Sequence, residues 1–126
     1  MTEKMTVDQY KKLAVLTMGE TEFQTMVLDH AKEQGWMVHH CRKAMRGDGQ
    51  YRTPIQGHKG FPDVVFARNG DVLFVEFKSE TGTLTGEQAD WLNELNGGPI
   101  NLHEHHPAVV WRPRDWNDNS IQETLQ

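Results

Sequence analysis

Residues 60–78, GFPDVVFARNGDVLFVEFK, constrain the fold of this chain more than any other stretch, because they predict a tight β-hairpin. Residues 61–68 are rich in Val and Phe, and residues 72–78 are apolar again. Between them stands Asn69-Gly70, a dipeptide that two-residue hairpin turns prefer. The chain is therefore expected to contain an antiparallel strand pair whose register is fixed at this turn.

The same hairpin predicts a cluster of charged side chains. Side chains alternate across a strand, so Glu76 and Lys78 point to one face. Counted from the turn, Asp63 lies at almost the same distance as Glu76, so the two carboxylates can lie side by side. Neighbouring carboxylates repel each other unless a cation lies between them, and a hard divalent ion such as Mg²⁺ is the usual solution. Such an ion can polarise a phosphoryl oxygen, and a lysine beside it can hold a water or offset charge.

Length and composition predict one ordinary globular domain of 126 residues. The single cysteine, Cys41, excludes an internal disulfide and is typical of a reducing cytoplasm. No apolar run approaches membrane-spanning length and no signal peptide is visible, so we expect a cytoplasmic protein without a membrane partner.

A local basic stretch lies before the hairpin, although the formal net charge of the chain is -5. Residues 44–60 contain four glycines and little apolar content, which predicts a mobile surface loop. A local basic patch can bind phosphates on an acidic protein, and an aromatic ring within it can stack on a base. A solvated loop is the alternative, and charge alone favours neither. The candidate DNA-binding residues are Arg42, Lys43, Arg46, Tyr51, Arg52, His58 and Lys59.

Two helices are predicted at the start of the chain. Residues 6–18 form the first, with Thr6 and Gln9 as a possible capping box. Thr21 is a possible cap of the second helix, which Gly35 ends and whose buried face repeats at i, i+3, i+4, i+7 and i+8. Glu22 lies in its first turn, where complementing the helix dipole is a sufficient explanation.

The remaining elements alternate between strand and helix. Residues 36–41 and 107–111 read as strands, and Thr85 with Gln88 forms a capping box for a helix between them. The order helix, strand, hairpin, helix, strand predicts a mixed sheet flanked by helices. Residues 119–126 either fray or form a short last helix. A zinc site is conceivable in a segment with three clustered histidines, but a solvated loop is favoured there because no partner motif accompanies them: His103, His105 and His106.

Several of these motifs together resemble a known family. Pro62-Asp63 followed by Glu76-x-Lys78 on the next strand resembles the PD-(D/E)xK nuclease superfamily. The V-x-R-P-x-D-W ending of residues 110–116 is similar to that of small stand-alone viral and prophage members of one family within it, the VRR-Nuc domain family. A helix ending in Gly35-Trp36 and a T-x-x-Q-x-x-W setting also narrow the resemblance to that family. That setting consists of Thr85, Gln88 and Trp91.

The resemblance implies a fold and a division of the chain. The fold is α/β, a restriction-endonuclease-like αβββαβ core with a central mixed sheet flanked by helices. Residues 1–20 would be an N-terminal helical extension, residues 21–116 the nuclease domain, and residues 117–126 a polar C-terminal tail.

The resemblance also implies site residues and a cofactor. The implied metal is Mg²⁺ or Mn²⁺, held by Asp63, Glu76 and the backbone carbonyl of Phe77, with Glu22 as a further group that would act directly or through water. Lys78 would orient the attacking water, and Gln88 would order the lysine, the water or the phosphate. The implied catalytic set is Glu22, Asp63, Glu76, Lys78 and Gln88.

The function that follows is metal-dependent endonucleolytic cleavage of DNA, with branched DNA as the first expected substrate. A homodimer is expected, as in junction resolvases, in a bacterial host or phage-infected cell and without a nucleotide cofactor. Phage replication, repair or recombination is the expected context. Alternatives are a flap or single-strand nuclease, a nucleic-acid-binding module without catalysis, and a structural viral component.

Overall fold

The computed structural model of the chain describes residues 4–40, 44–45, 51–52, 57–98 and 106–126. The predicted core order is confirmed there, because a helix, a strand, the hairpin, a helix and a strand follow one another. In chain order the elements are α1 (Val7–Leu16), α2 (Glu20–Glu33), β1 (Met37–His40), β2 (Ala44–Met45), β3 (Tyr51–Arg52), β4 (Val64–Arg68), β5 (Asp71–Phe77), α3 (Gly86–Leu95), β6 (Ala108–Trp111), α4 (Pro113–Asn117) and α5 (Ser120–Leu125).

Four strands form one sheet in the order β1-β4-β5-β6. β4 and β5 are antiparallel neighbours. β6 runs parallel to β5, because the Phe74 N–H donates to the Pro107 carbonyl (2.8 Å) and the Lys78 N–H to the Trp111 carbonyl (3.1 Å), so that both partners advance together along the chain. The sheet is therefore mixed and carries helices beside it, which confirms the predicted α/β, restriction-endonuclease-like fold class.

The hairpin turn forms at the predicted dipeptide. Arg68 pairs with Asp71, which leaves Asn69 and Gly70 as a two-residue loop. Their φ angles of 51° and 90° are both positive, as a type I′ turn requires. The turn thereby sets the register of every pair along β4 and β5.

The chain divides into two compact units. The first unit comprises Met1–Met37, Phe77–Thr83 and Val110–Gln126, and the second comprises Val38–Glu76 and Leu84–Val109.

The core of the first unit is aromatic and aliphatic. The Phe77 ring lies edge-on to Phe23 of α2, with centroids 5.7 Å apart, and to Trp111 of β6 at 6.1 Å. Ile121 and Leu125 of α5 are fully buried. The Trp36 indole N–H donates to the Leu125 carbonyl at 2.9 Å. Of the two alternatives for the end of the chain, the structure therefore has the short helix, because its apolar face is buried.

The start of α2 differs from the predicted one. Gly19 is its N-cap, with no side-chain hydrogen bond, and Thr21 lies within the helix. The Thr21 cap prediction was therefore wrong, since the extended backbone at Gly19 (φ -68°, ψ 164°) begins the helix earlier. Glu22 remains in the first turn, as predicted.

The second unit contains the hairpin and α3. Val64 and Phe66 of β4 and Val75 of β5 are fully buried. At the end of α3, the Asn96 side chain accepts from the Ala108 N–H at 2.9 Å and donates to the Ala108 carbonyl at 2.8 Å. This pair of hydrogen bonds joins the end of α3 to the start of β6.

The segment predicted to be a loop before the hairpin contains a two-stranded antiparallel ribbon. Ala44 pairs with Arg52, and Met45 pairs with Tyr51. The loop prediction for residues 44–60 was thus wrong at these four positions. Strands of two residues are too short to produce the alternating pattern by which a sequence signals a strand.

None of the helices described is long and apolar enough to cross a membrane.

Candidate active site

The hairpin register relates the positions of the two predicted carboxylates. The last pair of the ladder is Val64 opposite Val75. Asp63 directly precedes β4, and we infer by continuing this register that it lies opposite Glu76. Directly opposed residues share one face of a sheet, with Cβ atoms about 5 Å apart. Asp63 is half-buried, whereas Glu76 is 1% exposed. A site built on these residues therefore has one accessible and one enclosed carboxylate.

Gln88 holds the enclosed carboxylate. Its side-chain Nε2 donates to Oε1 of Glu76 at 2.7 Å. Its Oε1 accepts from the Thr85 backbone N–H at 3.0 Å, and its own N–H donates to Thr85 Oγ1 at 3.2 Å. The predicted capping box of α3 is therefore confirmed, and it uses only one end of the Gln88 amide.

The orientation of the Gln88 amide follows from its two neighbours. The Thr85 N–H can only donate, so the oxygen of the amide must face it. The NH₂ group is then left to face Glu76, whose carboxylate accepts in its ionised form. Gln88 thus links the helix start to the acidic side chain. The contact shown for the Gln88 amide is to Glu76. Its predicted role of ordering the lysine, the water or the phosphate stays a prediction.

The other predicted catalytic residues belong to the first unit. Glu22 is exposed in the first turn of α2. Lys78 is only 9% exposed, and its backbone N–H continues the ladder to Trp111. The Phe77 side chain is fully buried. Their assignment as catalytic or metal-binding residues remains a prediction.

The donor set fits a hard divalent ion of the magnesium type. Asp63 and Glu76 offer carboxylate oxygens on one face of the hairpin. Mg²⁺ is typically bound through one or two carboxylates, with waters and substrate phosphates completing its coordination. In the part of the chain that the structure describes, no three His, Cys, Asp or Glu side chains gather into a metal-binding cluster. Two carboxylates alone would leave positions on such an ion for water and substrate oxygens.

Gly60 allows the chain entering β4 to approach α3 closely. Its φ is +96°, and a Cβ there would lie 2.6 Å from the backbone carbon of Glu87. Glu87 directly precedes Gln88, so the chain at Gly60 passes close to the backbone next to the residue whose amide contacts Glu76. Both the conformation and the space require glycine.

Among the predicted DNA-binding residues, His58 and Lys59 are exposed in the second unit. They line a cavity of about 780 Å³ with Trp91 and three acidic residues of α3, Glu87, Asp90 and Glu94. Lys59 Nζ lies 3.5 Å from Glu87 Oε1. The positive charge of Lys59 is thus partly offset by a carboxylate.

The remaining DNA-binding predictions cannot be placed by their side chains. Tyr51 and Arg52 are described as strand backbone in β3. Three more DNA-binding candidates lie outside the described residues: Arg42, Lys43 and Arg46. Two histidines of the segment considered for zinc also lie outside them: His103 and His105. His106 is exposed.

The pKa of Glu87 is lowered from the usual glutamate value. The largest cause is a hydrogen bond from its own backbone N–H, and the second is the positive charge of Lys59. Backbone N–H groups in the first turn of a helix favour the ionised carboxylate. Glu87 therefore stabilises the start of α3 in its charged form.

Sequence reasoning assigned no role to Arg112, which contacts the turn after Lys78. Its Nη1 donates to the carbonyls of Ser79 (2.8 Å) and Gly82 (2.6 Å). The partners are 33 and 30 residues from Arg112 in the chain, so no local pattern signals them. The sequence signal at Arg112 is the V-x-R-P-x-D-W ending of residues 110–116, which indicates a family resemblance but no contact partner.

A mixed sheet with helices beside it, and with paired carboxylates on its central hairpin, defines the restriction-endonuclease-like class. The model of the VRR-NUC domain matches residues 21–106 of the chain. Since this match covers more than half of the chain, the protein belongs to the VRR-NUC domain family, a family of nucleases. No curated protein and no solved structure shows significant similarity to the chain.

Proposed function

We propose that this protein is a Mg²⁺- or Mn²⁺-dependent endodeoxyribonuclease whose reaction centre is the carboxylate pair of the hairpin. The hydrogen bond from Gln88 to the buried Glu76, in a chain of a nuclease family, is the observation that carries the proposal. A buried carboxylate is costly without hydrogen bonds, and one held by a dedicated amide beside a second acid suits a site for a hard cation.

Each residue has a role in the proposed reaction. Asp63 and Glu76 would hold the ion, which when bound supplies Lewis-acid polarisation of a phosphoryl oxygen. Lys78, two residues after Glu76 and so on the same face of the strand by alternation, would hold the attacking water and offset negative charge on the phosphate. Water adds to phosphorus and one ester P–O bond breaks, which leaves a phosphate monoester and a hydroxyl group.

Supporting residues complete the proposal. Gln88 keeps Glu76 in one orientation, so the carboxylate needs no rearrangement when the ion binds. The carbonyl of Phe77 is proposed as a further metal ligand, and Glu22 is proposed to act on the metal through water. Both assignments come from the family resemblance.

The proposed substrate is branched DNA, cut by a homodimer. A symmetric dimer presents two equal sites, which suits paired cuts in a four-way junction. The basic residues before the hairpin are proposed to follow the phosphate backbone.

A cleavage assay tests the proposed function. The substrates are a four-way junction, a flap and a linear duplex, each with Mg²⁺, with Mn²⁺ and with EDTA. We expect cleavage only with a metal, preferentially on the junction, and its loss in Asp63→Asn and Lys78→Met. Asp71→Asn is the matched control for the first variant, because Asp71 is an exposed acid at the turn end of the same hairpin.

Metal binding is tested separately from cleavage. Mg²⁺ or Mn²⁺ should raise the melting temperature of the wild type, because a ligand that binds only the folded state stabilises it. Asp63→Asn should abolish this rise and Asp71→Asn should keep it. A wild type that binds DNA but cuts none of the substrates with either metal would support the catalytically inactive binding module.

A further inference from the structure

The turn formed by residues 79–82, called the 79–82 turn below, directly follows Lys78. Arg112 Nη1 donates to both ends of this turn, at 2.8 Å from the Ser79 carbonyl and 2.6 Å from the Gly82 carbonyl. The Gly82 N–H closes the same turn on Ser79, at 3.3 Å from the carbonyl and 3.1 Å from Oγ. One guanidinium nitrogen thus bridges a turn that is already hydrogen-bonded across its ends.

The 79–82 turn lies against the side chain of Lys78. A Cβ built on Gly82 would be 3.6 Å from Cδ of Lys78 and 3.1 Å from Oγ of Ser79. The Lys78 N–H donates to the carbonyl of Trp111, the residue before Arg112, at 3.1 Å. Lys78 is therefore held at its backbone by Trp111 and bounded along its stem by the turn that Arg112 closes.

Arg112 is itself fixed in place. Its N–H donates to Oδ2 of Asp115 at 2.8 Å, and the Asp115 N–H donates to its carbonyl at 2.8 Å. Pro113 follows as the first residue of α4, where its fixed φ suits a helix start. The guanidinium therefore projects from a backbone that is constrained on both sides.

A second arginine contacts the same turn differently. Arg114 Nε lies 2.5 Å from Oε1 of Glu80, and its N–H donates to Glu80 Oε2 at 3.0 Å. The Arg114 side chain is 60% exposed, so solvent screens this pair. Arg112 holds the two ends of the turn, whereas Arg114 contacts only Glu80 in its middle, at the half-buried carboxylate and, at 3.3 Å, at the backbone carbonyl.

We propose that Arg112 is a positioning residue for Lys78. It closes the 79–82 turn against the lysine stem and so limits the places that the ammonium group can reach. The proposal rests on the proposed nuclease function, in which Lys78 acts on water and phosphate. Arg112 lies beyond residues 21–106, so the family match does not include it. A reacting group displaced by about 1 Å can lose about 100-fold in rate, which makes such positioning important.

Single-turnover cleavage tests the proposal through Arg112→Met. We expect the rate constant to fall about 10- to 100-fold, with DNA affinity within about twofold of wild type, as is expected when only transition-state interactions are lost. Arg112→Lys should recover part of the rate, because one nitrogen makes both bonds to the turn. Arg114→Met is the matched control, since it removes the same charge next to the same turn, and its rate should stay near wild type.

A second readout needs neither DNA nor activity. In protein labelled at lysine with ¹³C and ¹⁵N, the Lys78 signals are assigned by their absence in Lys78→Met. They should shift in Arg112→Met and stay in place in Arg114→Met. Unchanged Lys78 signals in Arg112→Met would overturn the positioning role, and so would equal changes in both variants. If wild type cuts no DNA, the proposed function fails while these spectra still decide the role of Arg112.

Discussion

The Gln88 side chain both caps α3 and donates to Glu76. The capping box of α1 contains a glutamine that only caps, so the two boxes allow the roles to be measured apart. In α1, Gln9 exchanges the corresponding hydrogen bonds with Thr6, at 2.7 Å and 3.1 Å. Gln9 is exposed, whereas the Gln88 amide also donates to the buried Glu76. The pair is therefore a natural comparison of capping with and without a contact to the carboxylate.

We expect Gln88→Ala to destabilise the protein by about 1.5–3 kcal/mol more than Gln9→Ala, because a hydrogen bond to a charged group is lost in addition to the cap. Urea unfolding of the two variants measures the difference. Cleavage should fall in Gln88→Ala and remain at the wild-type rate in Gln9→Ala. Equal losses of stability would show that the bond to Glu76 contributes nothing beyond capping.

Glu87 gives a prediction about pH. Its pKa in the folded state is lowered by its own backbone N–H and then by Lys59. A carboxyl group whose pKa is lower in the folded than in the unfolded state stabilises the fold at any pH above its unfolded pKa of about 4.3. This contribution is lost as the pH falls through the folded pKa. Wild type should therefore exceed Glu87→Gln in stability at pH 7, and the gap should close in acid. Urea midpoints over that range provide the test, and a gap that widens in acid would contradict it.

At the scale of elements, the approach of the chain before β4 to α3 depends on Gly60. We expect Gly60→Ala to be clearly more destabilising than Gly57→Ala. Both glycines have positive φ, at 96° and 122°, so alanine should cost about 1–2 kcal/mol in backbone strain at either position. A Cβ at Gly60 would also meet the Glu87 backbone at 2.6 Å, whereas nothing lies within 4 Å at Gly57.

Thermal or urea unfolding of both glycine variants tests this comparison. Cleavage adds a second measure, since movement of α3 would carry Gln88 away from Glu76 in Gly60→Ala alone. Similar free energies of unfolding for the two variants would contradict the prediction, because α3 would then move away from a Cβ at residue 60 without loss of stability.

The parts of the fold that local chemistry determines were predictable from sequence. Asn69-Gly70 fixed the hairpin, and the Thr-x-x-Gln capping boxes of α1 and α3 form as expected, because each involves neighbours within three residues. The Asp63–Glu76 pairing extends the same register by one residue and stays a prediction. The start of α2 at Gly19 was missed because a backbone conformation, and not a capping side chain, begins that helix.

Contacts between distant segments were not predictable in this way. A glycine in a sequence indicates a turn, and Gly60 carries no more information than that. The folded chain shows that Glu87 occupies the space beside it. The bonds of Arg112 to Ser79 and Gly82 likewise depend on strand order in the sheet. The two-residue strands β2 and β3 carry no periodic pattern at all.

For the whole molecule, the proposed homodimer predicts a mass in solution of twice the 14.5 kDa chain. The outer side of α1 offers an apolar surface in the first unit, where Val7 is 72%, Tyr10 60% and Leu13 47% exposed. Exposed apolar surface of this kind commonly marks a protein interface.

Light scattering after size-exclusion chromatography measures the mass. Leu13→Glu should shift the protein toward the single-chain mass if α1 forms the interface, whereas Lys11→Glu on the same exposed helix should shift it less. A wild type that has the single-chain mass at all concentrations would contradict the homodimer.

The Gln88 amide both caps α3 and holds Glu76, so hydrogen exchange at the cap can report on the carboxylate. Initiation of α3 and restraint of Glu76 depend on the same side chain, so they form and are lost together in any local opening. The backbone amide protons of Thr85 and Gln88, both in that capping box, should therefore exchange with solvent at rates that follow the order of the acidic centre. The hydrogen-exchange rates at these two helix-cap positions therefore report how often the acidic centre opens locally. They can be measured before any nucleic acid or metal ion is added.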